Sequence, residues 1–511
     1  MERNTLLPRS LLLSLTAVCI LAAAAIPSLA RDGGDGGAQA SDGQPVDVLI
    51  DMRHAHDFSD FPLGVDDRFY HRIYSFHRAF EYLKSQGVTV GKYESEEPIT
   101  DATLAQCRAV FLNLPSGDKS PFLLSELVAF KNFVWNGGSI FFIVDHTNCY
   151  FHQSRLEPLF HELDIAPQFY GICDATQNLG SGTGWIYIDS FSPHPITKNL
   201  RQIAFQTGGG VDPRYAVAWS SEKSWRDKAG MPLYGEADLS YFGNFMRDMD
   251  EPVGRCGAVL AKTYGKGKIV AVGDQNLFSA FFLQYLDVYR LWGGAFAWLL
   301  DRPELAEPKR YVDSTDKTRL VVCWEELRRG APRFGNPDAE GYYRLYSRLC
   351  RYYNLFCVAN DDSAIGLESD VALMLEAGPD ESDEGIEFAY RQLKRGKTLV
   401  VVDPQPDALE NKETAVAKVV KRLAENGITL KDGEKTASVP KENAAAKTKR
   451  FRKIARFSNG AKLALVHGRE SFDNSALPAP EERFLLSHQE NLRSLTAEID
   501  AELPETPGEE K

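Results

Sequence analysis

Polar side chains follow the apolar segments in the first half of the sequence, at the points where those segments end. They are Asp51, His54, His56, Ser116, Asp145, His146, Asn148, Asp274 and Asn276. If the segments are parallel strands, their carboxyl ends meet at one edge of a sheet, where ligands bind in open α/β folds. These residues are therefore predicted to form a ligand pocket.

Two kinds of role fit this set. Imidazoles and carboxylates gathered from separate loops could hold a divalent metal or transfer protons. A metal site would then use His54, His56, Asp145, His146 and Asp274. Alternatively, Asp after a strand accepts hydrogen bonds from loop amides and helix starts, which would give the carboxylates a structural role. The identity of a metal, or its presence, stays open at this point.

The segments that must position these residues predict a doubly wound α/β fold. Residues 46–51 (VDVLID) form a continuous apolar run that ends in a carboxylate, as expected of a strand buried on both faces. Apolar residues recur at helical spacing over 70–86, and Gly87 is a typical helix stop. The same pattern predicts strands at 88–93, 109–114, 139–144 and 268–272, and helices at 123–135 and 285–300.

The pattern then occurs a second time. Residues 342–347 (YYRLYS) repeat 70–75 (YHRIYS) with four of six positions identical, and 396–403 (GKTLVVVD) correspond to 138–145 (GSIFFIVD). Strands at 318–323, 370–375 and 462–466 complete an ordered set, which indicates an internal duplication. The second copy has Cys323, Pro404 and Gly468 where the first has Asp51, His146 and Asp274. Only the first copy is therefore predicted to carry a site.

Length and pattern together predict the domain organisation. A chain of 511 residues suggests two domains. We expect a first domain at 46–302 with a β-containing insertion (150–265) over the pocket mouth, a linker at 303–317 and a shortened second domain at 318–470. A tail with one helix follows at 471–511, and residues 431–453 are expected to be a mobile loop.

The N-terminus predicts export. Residues 1–30 combine two arginines, an apolar run and a Ser-Leu-Ala ending, as in a cleaved signal peptide or an uncleaved N-terminal anchor. Residues 31–45 are a predicted disordered linker, and the mature protein is expected to be periplasmic or secreted, with no membrane span. Export permits disulfides, so Cys149 and Cys173 are one candidate pair and buried free thiols are the alternative.

Charge and motifs exclude some functions. The net charge of −13 disfavours a nucleic-acid binder, because such proteins neutralise phosphates. The Gly208-Gly209-Gly210 triplet lacks the Lys-Ser/Thr of a phosphate-binding loop, so it is interpreted as an ordinary loop. No cofactor is predicted.

The ordered motifs resemble the class I glutamine amidotransferase-like superfamily, especially its exported non-catalytic branch, with domains associated with gliding-motility ABC transport and GIFT domains. The resemblance rests on residues 137–146 (GGSIFFIVDH), 194–197 (HPIT) and 265–274 (GKGKIVAVGD). It implies two tandem flavodoxin-like domains. An active amidotransferase would have a nucleophilic Cys after the fourth strand, where this sequence has Val144-Asp145-His146-Thr147.

Because that nucleophile is absent, no catalytic residue is predicted. A thiolate also needs a positioned base. The sequence favours an exported, non-enzymatic binding or scaffolding protein of the cell envelope. The resemblance implies envelope or transport-complex partners and carbohydrate as a ligand class. A further possibility is that the second copy presents a surface for self-association. The alternative is a metal-assisted hydrolase at the strand ends of the first domain.

Overall fold

The computed structural model describes residues 45–466, with gaps at 57, 69, 181, 230–242, 307–319, 328–330, 332, 340, 361–368, 405–407 and 432–451, and also residue 477. The predicted signal peptide and tail helix lie outside these residues, as does Gly468. Among the described residues, no helix has the length and apolarity needed to cross a bilayer.

An eight-stranded sheet organises the first half. Its order is β2-β1-β3-β4-β12-β11-β9-β7, and the first five strands are parallel. The strands of this half are β1 (Val46–Asp51), β2 (Val90–Tyr93), β3 (Cys107–Asn113), β4 (Ser139–Ile143), β5 (Tyr170–Asp174), β6 (Trp185–Ile188), β7 (Ser190–Phe191), β8 (Ile203–Gln206), β9 (Ala216–Trp219), β10 (Ser224–Lys228), β11 (Gly257–Tyr264) and β12 (Gly267–Val272).

Helices cover both faces of this sheet. They are α1 (Tyr70–Ile73), α2 (His77–Ser85), α3 (Asp101–Leu104), α4 (Leu124–Trp135), α5 (His152–Glu162) and α6 (Val288–Leu299). Successive residues of β4 alternate between two buried clusters, with Phe141 in one and Phe142 in the other. Helix α6 is apolar on almost all sides, and it packs so closely that a Cβ on Gly293 would lie 2.6 Å from the Leu305 carbonyl oxygen. An all-apolar helix is the kind a protein interior requires.

The insertion has more than one role in the sheet. Its strands β7 and β9, together with β11, extend the parallel sheet with an antiparallel edge. The pairs β5–β10 and β6–β8 form separate two-stranded sheets. The sequence predicted β structure in the insertion, but it did not predict that strands of the insertion join the main sheet.

A second sheet occupies the second half. Its order is β14-β13-β15-β16-β18-β17, with five parallel strands and β17 antiparallel at the edge. The elements are β13 (Leu320–Trp324), α7 (Tyr343–Leu349), β14 (Asn354–Val358), β15 (Val371–Leu375), α8 (Asp383–Lys394), β16 (Thr398–Val402), α9 (Ala415–Glu425), β17 (Arg452–Arg456) and β18 (Lys462–Val466). Both halves are therefore of the α/β class. Six strands of the first sheet correspond to the six strands of the second, in the same order and with the same directions.

The two halves share one hydrophobic core. A single buried cluster contains side chains of both sheets. The segment before α6 pairs with the outer edge of β14, where the amide of Leu286 donates to the Cys357 carbonyl at 2.7 Å and the amide of Cys357 donates to the Gln284 carbonyl at 2.9 Å. The buried Arg78 side chain donates to the Cys350 carbonyl at 2.6 Å. The halves are therefore joined by backbone pairing as well as by apolar packing.

Several predicted elements are shorter than expected, such as the strand at 88–93 and the helix at 285–300, which begin at Val90 and Val288. Two others differ in more than their bounds. The helix expected over 70–86 is interrupted between α1 and α2, because the Ser75 hydroxyl donates to the Phe61 carbonyl and accepts the amide of His77. The loop expected at 431–453 ends in β17, which begins at Arg452; residues 432–451 lie outside the described chain.

Candidate functional site

Asp51 and His54 belong to a buried network at the end of β1. Asp51 Oδ1 accepts the amides of Arg53 and His54, and its Oδ2 lies 2.6 Å from His54 Nδ1. The other nitrogen of His54 is 3.7 Å from Glu126 of α4. Asp51, His54 and Glu126 are at most 1% exposed. The end of β1 is thus tied to α4, and its two predicted site residues face protein rather than solvent.

Glu126 is the residue that closes this network. Its Oε1 accepts Arg53 Nε at 3.1 Å and the amide of Ile99 at 2.9 Å, and its Oε2 accepts the amide of Leu123 at 2.8 Å. A buried carboxylate needs such donors, because an unpaired charge is costly to bury. The signal available in the sequence was a Glu in the first turn of a predicted helix, where carboxylates accept free backbone amides.

His56, Ser116 and Asn148 lie near the rim of the same edge. The His56 ring stacks on Tyr150 with 3.6 Å between ring centroids, and its Nδ1 lies 3.7 Å from Asp118. The Asp118 side chain is 64% exposed. Burial works against ionisation there, but the hydrogen bond from Ser116 and the nearby His56 lower the pKa of Asp118. The His56 side chain is 12% exposed and Tyr150 is partly buried, so the rim consists of a largely covered aromatic stack beside an exposed, anionic carboxylate.

Asn148 has a local structural partner. Its side-chain oxygen accepts the amide of Ser154 at 3.1 Å, and its amide group donates to the Ser154 hydroxyl at 2.9 Å. These bonds satisfy groups in the first turn of α5, where backbone amides lack helical partners. Asn148 is only partly buried, so it too lies at the accessible side of the edge.

Asp145 and Asp274 form a buried acidic pair at the ends of β4 and β12. Asp274 accepts the amides of Gln206, Asn276 and Leu277 at 2.5, 2.8 and 3.2 Å. Asp145 accepts its neighbour's amide, His146 N, at 2.7 Å. Burial raises the pKa of both carboxyls, and the Asp274 charge raises that of Asp145 further. Asn276 thus supplies a backbone amide to this pair.

A glycine loop lies against this pair. The amide of Gly209 donates to the Gly273 carbonyl at 2.6 Å, and a Cβ on Gly209 would lie 2.2 Å from the Asp145 carbonyl oxygen. Only a residue without a side chain permits that approach. The Gly208-Gly209-Gly210 triplet therefore closes the strand ends over Asp145 and Asp274, a role that its sequence did not reveal.

Cys149 and His152 form a thiol–imidazole contact, with 3.7 Å between Sγ and Nδ1. Nδ1 is also 2.7 Å from the Cys149 carbonyl, to which it donates, and Nε2 accepts the amide of Asp145 at 3.1 Å. Burial lowers the pKa of His152 to about 3 and raises that of the Cys149 thiol. Neither nitrogen has a free lone pair for the thiol proton, so the pair lacks the activated thiolate that nucleophilic catalysis needs.

A small cavity borders His146. It has a volume of about 10 Å³, enough for one water molecule. His146, Thr147, Cys173 and Asp227 line it. Asp227 Oδ1 is buried without a hydrogen-bond partner. Burial, followed by the nearby Glu251 charge, raises the pKa of Asp227 to about 7. A cavity of the same volume in the second half is lined by apolar side chains.

The metal-ligating atoms group differently from the expected set. Among the described residues, the group of three or more that could hold an ion is Asp145, His146 and Cys149. Two expected ligands, His54 and Asp274, bond within the networks above, and His56 stacks at the rim. Neither Cys149 nor Cys173 forms a disulfide, and the same holds for the five other described cysteines, so the candidate disulfide is wrong.

Comparison with known proteins identifies no family. No family model and no curated protein matches the chain. Solved structures that match include the mmIFT52 N-terminal domain, at 13% identity and a TM-score of 0.35, over 52% of this chain and 100% of the other.

ThuA-like proteins are also among the solved structures that match. One from Bacteroides uniformis is 13% identical, with a TM-score of 0.25 over 52% of this chain and 96% of its own. One from Parabacteroides merdae is 12% identical, with a TM-score of 0.28 over 50% and 90%. These scores lie below 0.5, so the matches establish neither fold family nor function.

Proposed function

We propose that this protein is an exported, non-enzymatic binding protein of the cell envelope, with its ligand at the strand ends of the first half. The observation that carries the proposal is the Cys149–His152 contact, in which both imidazole nitrogens bond to the backbone. Asp51 and Asp274 likewise accept backbone amides. Groups with those partners hold loops in place rather than exchange protons with a substrate.

We further propose that the chain is a tandem of two flavodoxin-like units that resemble amidotransferases without their nucleophile. The matching order and direction of six strands in each sheet support a duplication. In the second unit Pro404 follows β16, and Cys323 lies within β13, which the buried Glu325 follows. The cavity of this unit is apolar. The second unit contributes to the hydrophobic core that the two halves share and to the backbone pairing between them, whereas the first unit carries the pocket. A role in self-association or in a transport complex would use the outer surface of this tandem.

The rim of the first unit suits a carbohydrate polymer. Aromatic faces pack against the apolar faces of sugar rings, and carboxylates accept their hydroxyl groups. The partly buried Tyr150, which stacks on His56, would provide the first kind of contact through its accessible part, and the exposed Asp118 would provide the second. The acidic chain, at −13, disfavours polymers with a phosphate on every unit, such as nucleic acid. We therefore propose an amino-sugar polymer of the envelope as the ligand.

Cosedimentation of the full mature chain with purified murein tests this function. We expect binding, and about tenfold weaker binding in the double variant His56→Ala with Asp118→Asn. Glu81→Gln is the matched control, because Glu81 pairs with Lys84 on the surface of α2, away from the strand ends. Absence of binding, or equal binding by the double variant, would reject the ligand. Release of soluble sugar or ammonia would reject the non-enzymatic role.

A metal-assisted hydrolase is the competing proposal. It gains support from the proximity of Asp145 to His146, but His54 is bonded to Asp51 at 2.6 Å and is 1% exposed. A hydrolase that used the five expected ligands would have to break this bond. Retained hydrolytic activity in His54→Ala would exclude that set, and metal-dependent turnover in the wild type would favour the hydrolase.

A further inference from the structure

Three neighbouring side chains after β4 bring different ligand atoms together. A carboxylate oxygen of Asp145, a ring nitrogen of His146 and the sulfur of Cys149 all lie within 4.8 Å of one another. Their exposed fractions are 6%, 8% and 2%. This combination of oxygen, nitrogen and sulfur is unlike an acidic surface cluster, because it is buried and chemically mixed.

We propose that Asp145, His146 and Cys149 form a binding site for a zinc-class transition metal ion. Thiolate, imidazole and carboxylate together are typical ligands of Zn²⁺. Mg²⁺ and Ca²⁺ prefer oxygen ligands alone, so a thiolate disfavours them. Three protein ligands leave a fourth position of a tetrahedral ion for water.

The geometry requires a small contraction. Zn²⁺ lies about 2.0–2.3 Å from such ligands, so tetrahedral geometry separates ligand atoms by roughly 3.5 Å. The three ligand atoms lie within 4.8 Å of one another, so movements of about 1 Å bring them to this separation. Side-chain rotation can supply movements of that size. Thr147 Oγ1, 3.2 Å from His146 Nδ1, is placed to orient the imidazole, as partners of metal-bound histidines commonly do.

His152 helps to hold the backbone of the three ligands in place. His152 bonds to the amide of Asp145 and to the carbonyl of Cys149, and the amide of Cys149 donates to the His146 carbonyl at 3.2 Å. All three ligands thus lie on one short, internally bonded loop. Fixed ligands lose little entropy when an ion binds, which favours binding.

The charges balance when a divalent ion binds. The ion carries +2, and the Asp145 carboxylate and Cys149 thiolate carry −1 each, while the imidazole is neutral. The thiol loses its proton to solvent as the metal–sulfur bond forms. The ion and its three ligands together carry no net charge, which lowers the cost of burying the ion. Asp274, whose charge acts on Asp145, lies outside this set of ligands.

Metal titration of the full chain tests the site independently of polymer binding. After chelator treatment, Co²⁺ is added and the thiolate-to-cobalt absorption band is recorded, and Zn²⁺ binding is measured by calorimetry. We expect one ion per chain, loss of the band in Cys149→Ser and at least tenfold weaker binding in His146→Ala. Cys323→Ser, which removes a buried thiol of the second half, is the matched control and should keep the band.

Several outcomes would overturn the proposal. They are an absence of binding at micromolar metal, a band that survives Cys149→Ser, and a band lost in Cys323→Ser. Circular dichroism reports whether each variant folds. If Cys149→Ser does not fold, Asp145→Asn and His146→Ala carry the test, and normal Zn²⁺ affinity in both would overturn the site. Murein binding by a chain without metal affinity would leave the proposed function standing.

Discussion

At the scale of single residues, the strand ends of the first half consist of ionisable groups with structural partners. Asp51 and Asp274 accept loop amides, and His152 bridges two backbone groups. Such bonds fix loops that would otherwise carry unsatisfied buried polar groups. The sequence suggested this role for the Asp residues as one of two alternatives, and the geometry of the loops favours it.

Replacement of Glu126 by Gln tests how much the network at β1 contributes. One oxygen becomes an amide donor that faces other donors, and Arg53 loses its anionic partner, so we expect a loss of about 3 kcal/mol in the free energy of unfolding. Urea unfolding measures it. The control variant Glu81→Gln, at a partly exposed ion pair, should change stability by less than ~0.5 kcal/mol. A loss below ~1 kcal/mol for Glu126→Gln would contradict a structural role.

The residues missed from the sequence share one property. Glu126, His152 and Asp227 acquire their partners from elements distant in the chain or from backbone groups. The partner of Glu126 in the β1 loop, Arg53, is 73 residues away. Residues that follow predicted parallel strands can be placed together in advance, because the carboxyl ends of such strands meet at one edge of the sheet. No comparable rule predicts the partners of a residue within a helix or a short inserted strand.

At the scale of elements, continuous apolar runs were the dependable signal. The strands at 46–51 and 462–466 have the predicted bounds, because a strand buried on both faces needs an unbroken apolar sequence. Helix α5 was missed, since it contains Pro158 and few apolar residues. Strand β17 was missed because it begins with Arg452 and Lys453 at the end of a polar stretch.

The loop after β4 shows a second limit of sequence patterns. Thr147, Tyr150 and Phe151 all have positive φ, at 49°, 53° and 63°. Non-glycine residues rarely adopt this conformation, and each costs about 1 kcal/mol or more unless the surroundings impose it. The bonds of His152 and the packing around Cys149 impose it here, and neither is visible in local sequence.

At the scale of the whole molecule, a buried acid at the junction of the halves predicts that the free energy of unfolding depends on pH. Glu325 is fully buried near Tyr285, Arg333 and Cys357. Burial raises the pKa of its carboxyl to about 7. Because the folded pKa lies above the unfolded value, its stabilising contribution is complete below pH ~4 and is lost as the pH rises to ~7.

Glu325→Gln tests this dependence, because Gln keeps the neutral form at every pH. Between pH 4.5 and 7.5 the wild type should lose ~3 kcal/mol more than the variant in the free energy of unfolding, by linkage. Urea unfolding at several pH values measures the difference. Asp227 and Asp274 also have raised pKa values, so they lower the stability of the wild type and of the variant by the same amount as the pH rises. Their contribution therefore cancels in this comparison. A difference that does not change with pH would contradict the raised pKa.

Alkylation of Cys149 in the native, chelator-treated chain tests the central claim most directly. Iodoacetamide labelling is followed by mass spectrometry as a function of pH, and the same cysteine in the urea-unfolded chain supplies the reference rate. The account predicts labelling at least about a hundredfold slower in the native chain, without a rise near neutral pH. Rapid native labelling with an inflection near neutrality would show an imidazole-activated thiolate and contradict a non-enzymatic strand-end site.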